Sequence, residues 1–486
     1  DFPMYFTDPV DNPFSRGLTA LDENRNPEVV DQSSLPGATA LFSPRIGFNY
    51  NASGDRRTQL RGGTGVFTGR VPFVWIGNTI SNPGANPNLP APGNATADTV
   101  FTADNAILQQ SFDLNAMVSD FKWPQTWVTD FAIDQQLGGG FLATLEGIYG
   151  KDIRNVFVRN ADLVAPVGTL ADGRPYFGGL GNNELNPDGA GIYVIDNTDE
   201  GHNFNITAQL RKSFDFGLSA VLGYSFTEAK NNLKSTEIAS VLWSGQPVQG
   251  DPNNPELAPS EFGQKHRIVG GATYIKSWSP SLRTSIGLFL EVAQGNRFAG
   301  AGGNRYSFIY SGDINGDGQG GNDLIYIPQD QSEIVFADCA SDCGSNVTAA
   351  QQWAAFDAFI EQDDYLRSHR GEIAERSGAL NPWYSNIDLR IMQDIAFGNV
   401  VRHNFQVSLD ILNLGNLISS DWGVRKVASS AATSPLRAVT DANGLATFDG
   451  GGRPILNFTG PAETFIDDPS VFSRWRAQFG LRYFFE

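Results

Sequence analysis

Cysteine, methionine and histidine are scarce in this chain, with 2 Cys, 3 Met and 4 His in 486 residues. A zinc site needs several Cys and His side chains close together. Cys339 and Cys343 stand alone in an acidic, Gly/Ser-rich segment. They are expected as a small surface disulfide of an oxidising compartment, with two free thiols as the alternative. His202, His266, His369 and His403 fall in unrelated contexts, outside any nucleophile elbow, HExxH motif or triad-like cluster. The Gly-rich stretch 61–69 lacks the Lys-Ser/Thr of a phosphate loop, so no enzyme is expected. Cations are short as well, 34 Lys+Arg against 53 Asp+Glu, for a net charge of −19. So acidic a chain, without a basic stripe, repels phosphates, and nucleic acid is a poor candidate partner. No apolar run approaches the roughly 18–20 residues of a membrane-spanning helix, which excludes helical membrane proteins. The first residues, DFPMYFTDPVDN, have neither the charged nor the apolar region of a signal peptide. A leader already removed, or a longer parent chain, accounts for them equally.

Glycine and aromatics are plentiful, at 53 Gly and 12% Phe, Trp and Tyr, and together with 26 Pro they point to β structure rich in turns. About a dozen segments alternate apolar and polar residues over roughly eight to fourteen positions, longer than ordinary strands. Phe204, Ile206, Ala208 and Leu210 oppose Asn203, Asn205, Thr207, Gln209 and Arg211. Past the turn at Asp215, Leu218, Ala220, Leu222, Tyr224 and Phe226 face away from Ser219, Ser225 and Thr227. Tight connections near 52–57, 138–140, 215–217, 278–281 and 398–399 alternate with long ones at about 70–123, 151–201, 230–263, 298–383 and 415–472. A soluble sandwich has shorter strands and turns of similar length at both ends. The pattern fits an all-β, antiparallel transmembrane β-barrel of about twelve strands, with short periplasmic turns and long extracellular loops. The last strand, from Trp475 to Phe485, alternates and closes on aromatics as an outer-membrane assembly signal does, with Glu486 following.

Several stretches carry a resemblance: LFSPRIGFNYNASGDRRTQLRGGTGVFTGRVPFVWIGN from Leu41, KWPQTWVTDFAIDQQL from Lys122, and FGQKHRIVGGATY from Phe262. Others are SGDINGDGQGGNDLIYIP from Ser311, YLRSHRGEIAERSGALNPWYSNIDLRIMQD from Tyr365 and the terminal FGLRYFF. Together they look like the C-terminal half of Oar-like TonB-dependent outer-membrane receptors. The resemblance implies a barrel of about 22 strands with a plug in its lumen. It also implies a TonB box and an N-terminal extension domain, none of which this sequence contains. Residues 1–40 then read as a loop or partial strand entering mid-barrel, and 41–486 as the C-terminal barrel strands with their long loops. A self-closed barrel of twelve strands is the alternative. The function expected from the resemblance is movement of a bulky solute across the outer membrane. A structural or adhesive surface barrel without active transport is the rival. A soluble β-rich lectin or glycosidase is a second rival, and it would fold without detergent. Expected partners are outer-membrane lipid and lipopolysaccharide, the plug and TonB complex through the missing N-terminal part, and a surface lipoprotein.

Two groups of residues are candidate sites. Asp313, Asn315 and Asp317, followed by Gly318, have the spacing with which an EF-hand-type loop presents oxygen to a hard cation. Leu324 stands where the bidentate Glu is expected and Asp323 precedes it, so a non-standard Ca²⁺ loop using Asp313, Asn315, Asp317, Gln319 and Asp323 is expected. An Asx/Gly turn without metal uses the same residues. The second group is Glu146, Arg211, Asp388, Arg390, Asp394, Asp410, Arg476 and Arg482. These charges lie in the spanning segments and would be costly against lipid, so they are expected to face the lumen.

Overall fold

The computed structural model describes residues 1–486 apart from 6, 10, 14, 56, 85–112, 187–190, 234–237, 298–306, 340–345, 399–402 and 486. Its main sheet is formed by β1 (Arg45–Asn51), β2 (Thr58–Thr68), β3 (Gln125–Gln136), β4 (Leu142–Asn160), β5 (His202–Ser213) and β6 (Leu218–Asn231). It continues with β7 (His266–Ser279), β8 (Leu282–Ala293), β9 (Tyr384–Phe397), β10 (His403–Leu412) and β11 (Arg476–Phe485). Each strand pairs antiparallel with the next in chain order. Among the described residues β1 and β11 pair on one side only.

Among the described residues the row has eleven strands, against the about twelve expected. One further strand, Ile192–Thr198, lies within the long connection between β4 and β5 and does not join the row. That segment pairs with the far half of β4 and, in parallel, with Leu114–Met117, so it widens the sheet outside the main row. Residues 1–40 also stay out of the row. Within them Ala20–Leu21 pairs with Pro27–Glu28, and Arg159 of β4 holds Glu28 at 2.6 Å.

Tight turns and long connections alternate along the row, as expected. Between β5 and β6 the backbone needs glycine at Gly217. Its φ is 96°, and a Cβ there would run into the Ile275 carbonyl oxygen of β7.

Burial is inverted relative to a soluble sandwich. The apolar face of the strands is open: Phe479 is 72% and Leu481 64% exposed. The buried clusters lie in the long connections and the far half of β4 instead. One gathers Phe308, Ile314, Ile325, Phe356, Phe359, Leu366 and Leu436. A second gathers Val71, Trp75, Met117, Phe177, Ile195 and Trp243. Into the first packs helix α1 (Ala349–Gln362), whose start is fixed by a capping box between Thr348 and Gln351. Apolar side chains left open on a sheet with polar loops packed at one end match a wall meant for acyl chains.

Candidate functional site

Register decides which side chains share a face, because directly paired residues project together and neighbours along a strand project oppositely. Arg211 pairs with Val221, Val221 with Gly271, Gly271 with Phe289 and Phe289 with Asp388. Glu146 pairs with Thr207, two pleats from Arg211. Asp394 pairs with Gln406 and Gln406 with Arg482, while Arg390 pairs with Asp410, and Leu412 with Arg476. All eight charges picked from the sequence therefore project from one face. The opposite face carries Phe204, Ile206, Leu222, Leu288 and Leu409.

Most charges on this face are paired. Arg61 reaches Asp134 at 3.1 Å and Glu146 at 2.6 Å. Arg283 donates to Asp394 at 2.8 Å, and Arg390 approaches Asp410 at 3.2 Å. Asp388 accepts from the Asn413 N–H at 2.8 Å and the Asn386 amide at 3.0 Å. Arg211, Arg476 and Arg482 have no carboxylate within 4.0 Å among the described residues.

Arg61, Arg267, Arg283 and Glu291 belong to the same face but were not singled out from the sequence. Arg61 has Leu60 on one side, but Gly62 on the other presents no apolar side chain to continue the opposite face. It shares its projection with Asn49 and Ala132, its partners in register.

The Asp313–Asp323 segment lies in the loop body beside the first buried cluster. Asp313 Oδ1 accepts the Gly316 N–H at 2.7 Å and the Asp317 N–H at 3.1 Å, and its Oδ2 accepts from Gly318 N. Asp317 accepts the Gln319 N–H at 2.8 Å and the amides of Asn315 and Asn322. Asp323 accepts the N–H groups of Ile314 and Asn315. Arg174, wholly buried, donates to Asp172 at 2.7 Å and reaches Asp323 at 3.3 Å.

These carboxylates sit in an unfavourable medium. Burial pushes Asp313 up to about 6, with the charge of Asp323 adding to it and three backbone N–H groups opposing. Burial raises Asp317 well above the usual carboxylate range, and the charges of Asp323 and Asp313 add to that. Burial also raises Asp323, while Arg174 opposes.

The sequence placed these five residues in one loop but could not foresee how the backbone would occupy them. Each carboxylate is taken up by N–H groups of its own turn, and among the described residues no group of three or more His, Cys, Asp or Glu side chains is placed to hold a metal ion. Two buried amide oxygens beside Asp317, Asn322 Oδ1 and Asn183 Oδ1, have no partner among the described residues. Asn322 donates its Nδ2 to Asp317, and Asn183 donates to the Asp317 carbonyl.

Cys339 is disulfide-bonded, and Cys343 lies outside the described residues.

The family described as an outer membrane beta barrel domain matches residues 10–433. No curated protein matches the chain. Among solved structures, the outer membrane transporter YddB from Escherichia coli is similar at 12% identity. That match covers 90% of this chain and 40% of YddB, with a TM-score of 0.38. The siderophore receptor PirA from Acinetobacter baumannii is similar at 12% identity over 78% of this chain and 37% of its own, with a TM-score of 0.35. The ferric enterobactin receptor PfeA from Pseudomonas aeruginosa, in complex with BCV-L6, is similar at 9% identity over 92% and 41%, with a TM-score of 0.38. The chain thus spans about 40% of the length of the structures it matches.

Proposed function

Because this chain belongs to the outer membrane beta barrel domain family, we propose that it is the C-terminal barrel portion of an Oar-like TonB-dependent receptor that moves a bulky solute across the outer membrane. The observation that carries this reading is the charged face. It runs across the whole strand row, its carboxylates are largely paired, and arginines on it, Arg211, Arg476 and Arg482 among them, have no carboxylate partner among the described residues. Guanidinium groups lining an aqueous lumen offer bidentate contacts to a plug or to solute oxygens. The loop body, with its own apolar cores, would serve as a preformed outer vestibule. The plug, the TonB complex, lipopolysaccharide and a surface lipoprotein are the partners this reading assigns.

The test is made in the native cell. Loss of this chain and loss of the TonB complex should leave the same compounds unconsumed, or unsecreted, when spent media are compared by mass spectrometry. Loss of this chain that alters adhesion to neighbours or surfaces, with the medium unchanged, overturns the transport reading in favour of an adhesive barrel.

For the Asp313–Asp323 loop we propose Ca²⁺ as the ligand, on the strength of the unpartnered Asn322 Oδ1 beside Asp317. Turning that amide would exchange a donor for an acceptor and give a cation a further oxygen, as hard cations require. Calorimetric titration with Ca²⁺ should give heat with the parent chain and none with the Asp313→Ala/Asp317→Ala variant. Equal heats would end the proposal.

A further inference from the structure

The open apolar face is not uniform. Across β4, β5 and β6 large and small side chains alternate in register: Leu145 beside Ala208, and Ala143 beside Leu210 and then Leu222. Ala143 and Ala208 form the floor of a depression of about 590 Å³, walled by Leu145, Leu210, Leu222 and Ile268. A smooth lipid-facing wall needs no such trough. Dispersion contacts are gained only where an occupant matches the relief.

The trough leads to a cation. Lys212 follows Leu210 on the same face of β5, one pleat repeat or about 7 Å nearer the tight turns. Its Nζ lies 4.5 Å from the ring centre of Phe141 and 4.2 Å from that of Phe214. Phe214 in turn packs against Phe216 at 5.2 Å. No carboxylate lies within 4.0 Å of this ammonium among the described residues. An ammonium on an apolar wall must reach the polar boundary of the membrane, where aromatic rings also settle. It stands against the sign of the whole chain, which carries a net charge of −19.

We propose that this trough and Lys212 form a binding site for one anionic glycerophospholipid of the leaflet on the tight-turn side, with an acyl chain in the trough and the phosphate on the ammonium. The shape selects a single hydrocarbon chain, and the charge selects an anionic headgroup over a zwitterionic one. From Lys212 to the far wall is four residues, roughly 13 Å of strand, enough to hold the upper part of an acyl chain. Lys276, over the ring of Trp278 at 5.8 Å, supplies an internal control: another tight-turn cation beside an aromatic, outside the trough.

The test uses the chain purified from outer membranes in mild detergent, exchanged with phosphatidylglycerol or phosphatidylcholine, with retained lipids counted by native mass spectrometry. The parent chain should retain one phosphatidylglycerol with roughly fivefold preference over phosphatidylcholine. Lys212→Ala should lose the preference, Lys276→Ala should keep it, and Ala208→Leu, which fills the trough, should lose retention of both lipids. If Ala208→Leu fails to assemble, Ala143→Leu fills the trough from the neighbouring strand. Equal loss in the two lysine variants would mean a diffuse effect of charge at the rim and overturn the site. So would retention indifferent to the filled trough, or a dimer of the chain held without lipid.

Discussion

Arginine in place of Ile206 will lower the stability of the assembled barrel by about 2–4 kcal/mol, whereas arginine in place of Thr207, the next residue, will be tolerated. Both positions lie near the middle of β5, and neither is in the loop body. They differ in what their faces meet. Ile206 pairs with Gly147 and Phe226 on the apolar face, where a guanidinium would enter hydrocarbon. Thr207 pairs with Glu146 and Ser225 on the charged face, so the same guanidinium would stand opposite a carboxylate. A water-soluble sheet makes a different forecast, because Ile206 is partly open and arginine on a solvated face costs little. Urea unfolding in lipid vesicles, followed by the heat-dependent shift in gel migration that marks folded barrels, reads the difference. Equal costs at the two positions would remove the lipid from one face and the membrane from the argument.

The alternation behind that prediction was readable in the sequence because the two faces of a barrel wall meet opposite solvents. Every second residue from Asn203 to Arg211 is polar, and register then carries the same parity from strand to strand. Parity fails to announce itself where glycine replaces the apolar partner. Arg61, between Leu60 and Gly62, is therefore not marked by the pattern although it pairs with both Asp134 and Glu146. Strand number was less legible than strand type. Ile192–Thr198 is a continuous apolar run followed by polar residues, and only its partners, Leu114–Met117 and the far half of β4, make it a strand that extends the sheet beside the wall. The acidic loop was visible as residues and not as geometry. Spacing brings Asp313, Asn315 and Asp317 together, yet the carboxylate oxygens are claimed by local N–H groups, a choice that depends on the turn. The cation nearest that loop comes from Arg174, far upstream, and no local pattern connects it to Asp323.

Arg174 gives the second large effect. Its side chain is wholly buried, bonded to the Asp172 carboxylate, the Asp323 carboxylate and the Leu324 carbonyl oxygen at 2.8 Å. It also lies over the Tyr310 ring at 5.4 Å. Arg174→Met keeps most of the volume and removes the charge, leaving two buried carboxylates without their cation. Breaking a buried ion pair from one side costs about 3–5 kcal/mol, far more than the pair itself contributes. The loss falls on the loop body, because Asp172, Asp323, Leu324 and Tyr310, the partners of Arg174 among the described residues, all lie in the long connections. Limited proteolysis should cut the 310–336 region of Arg174→Met under conditions that leave the parent intact, while the heat-dependent migration of the barrel stays unchanged. Adding Asp323→Asn should restore part of the protection, since the amide removes one uncompensated charge, and the double variant should be less damaged than the two single effects summed. A barrel that unfolds together with its loops in Arg174→Met would show that vestibule and wall form one cooperative unit. Full additivity of the two substitutions would show that Arg174 and Asp323 do not act as a pair.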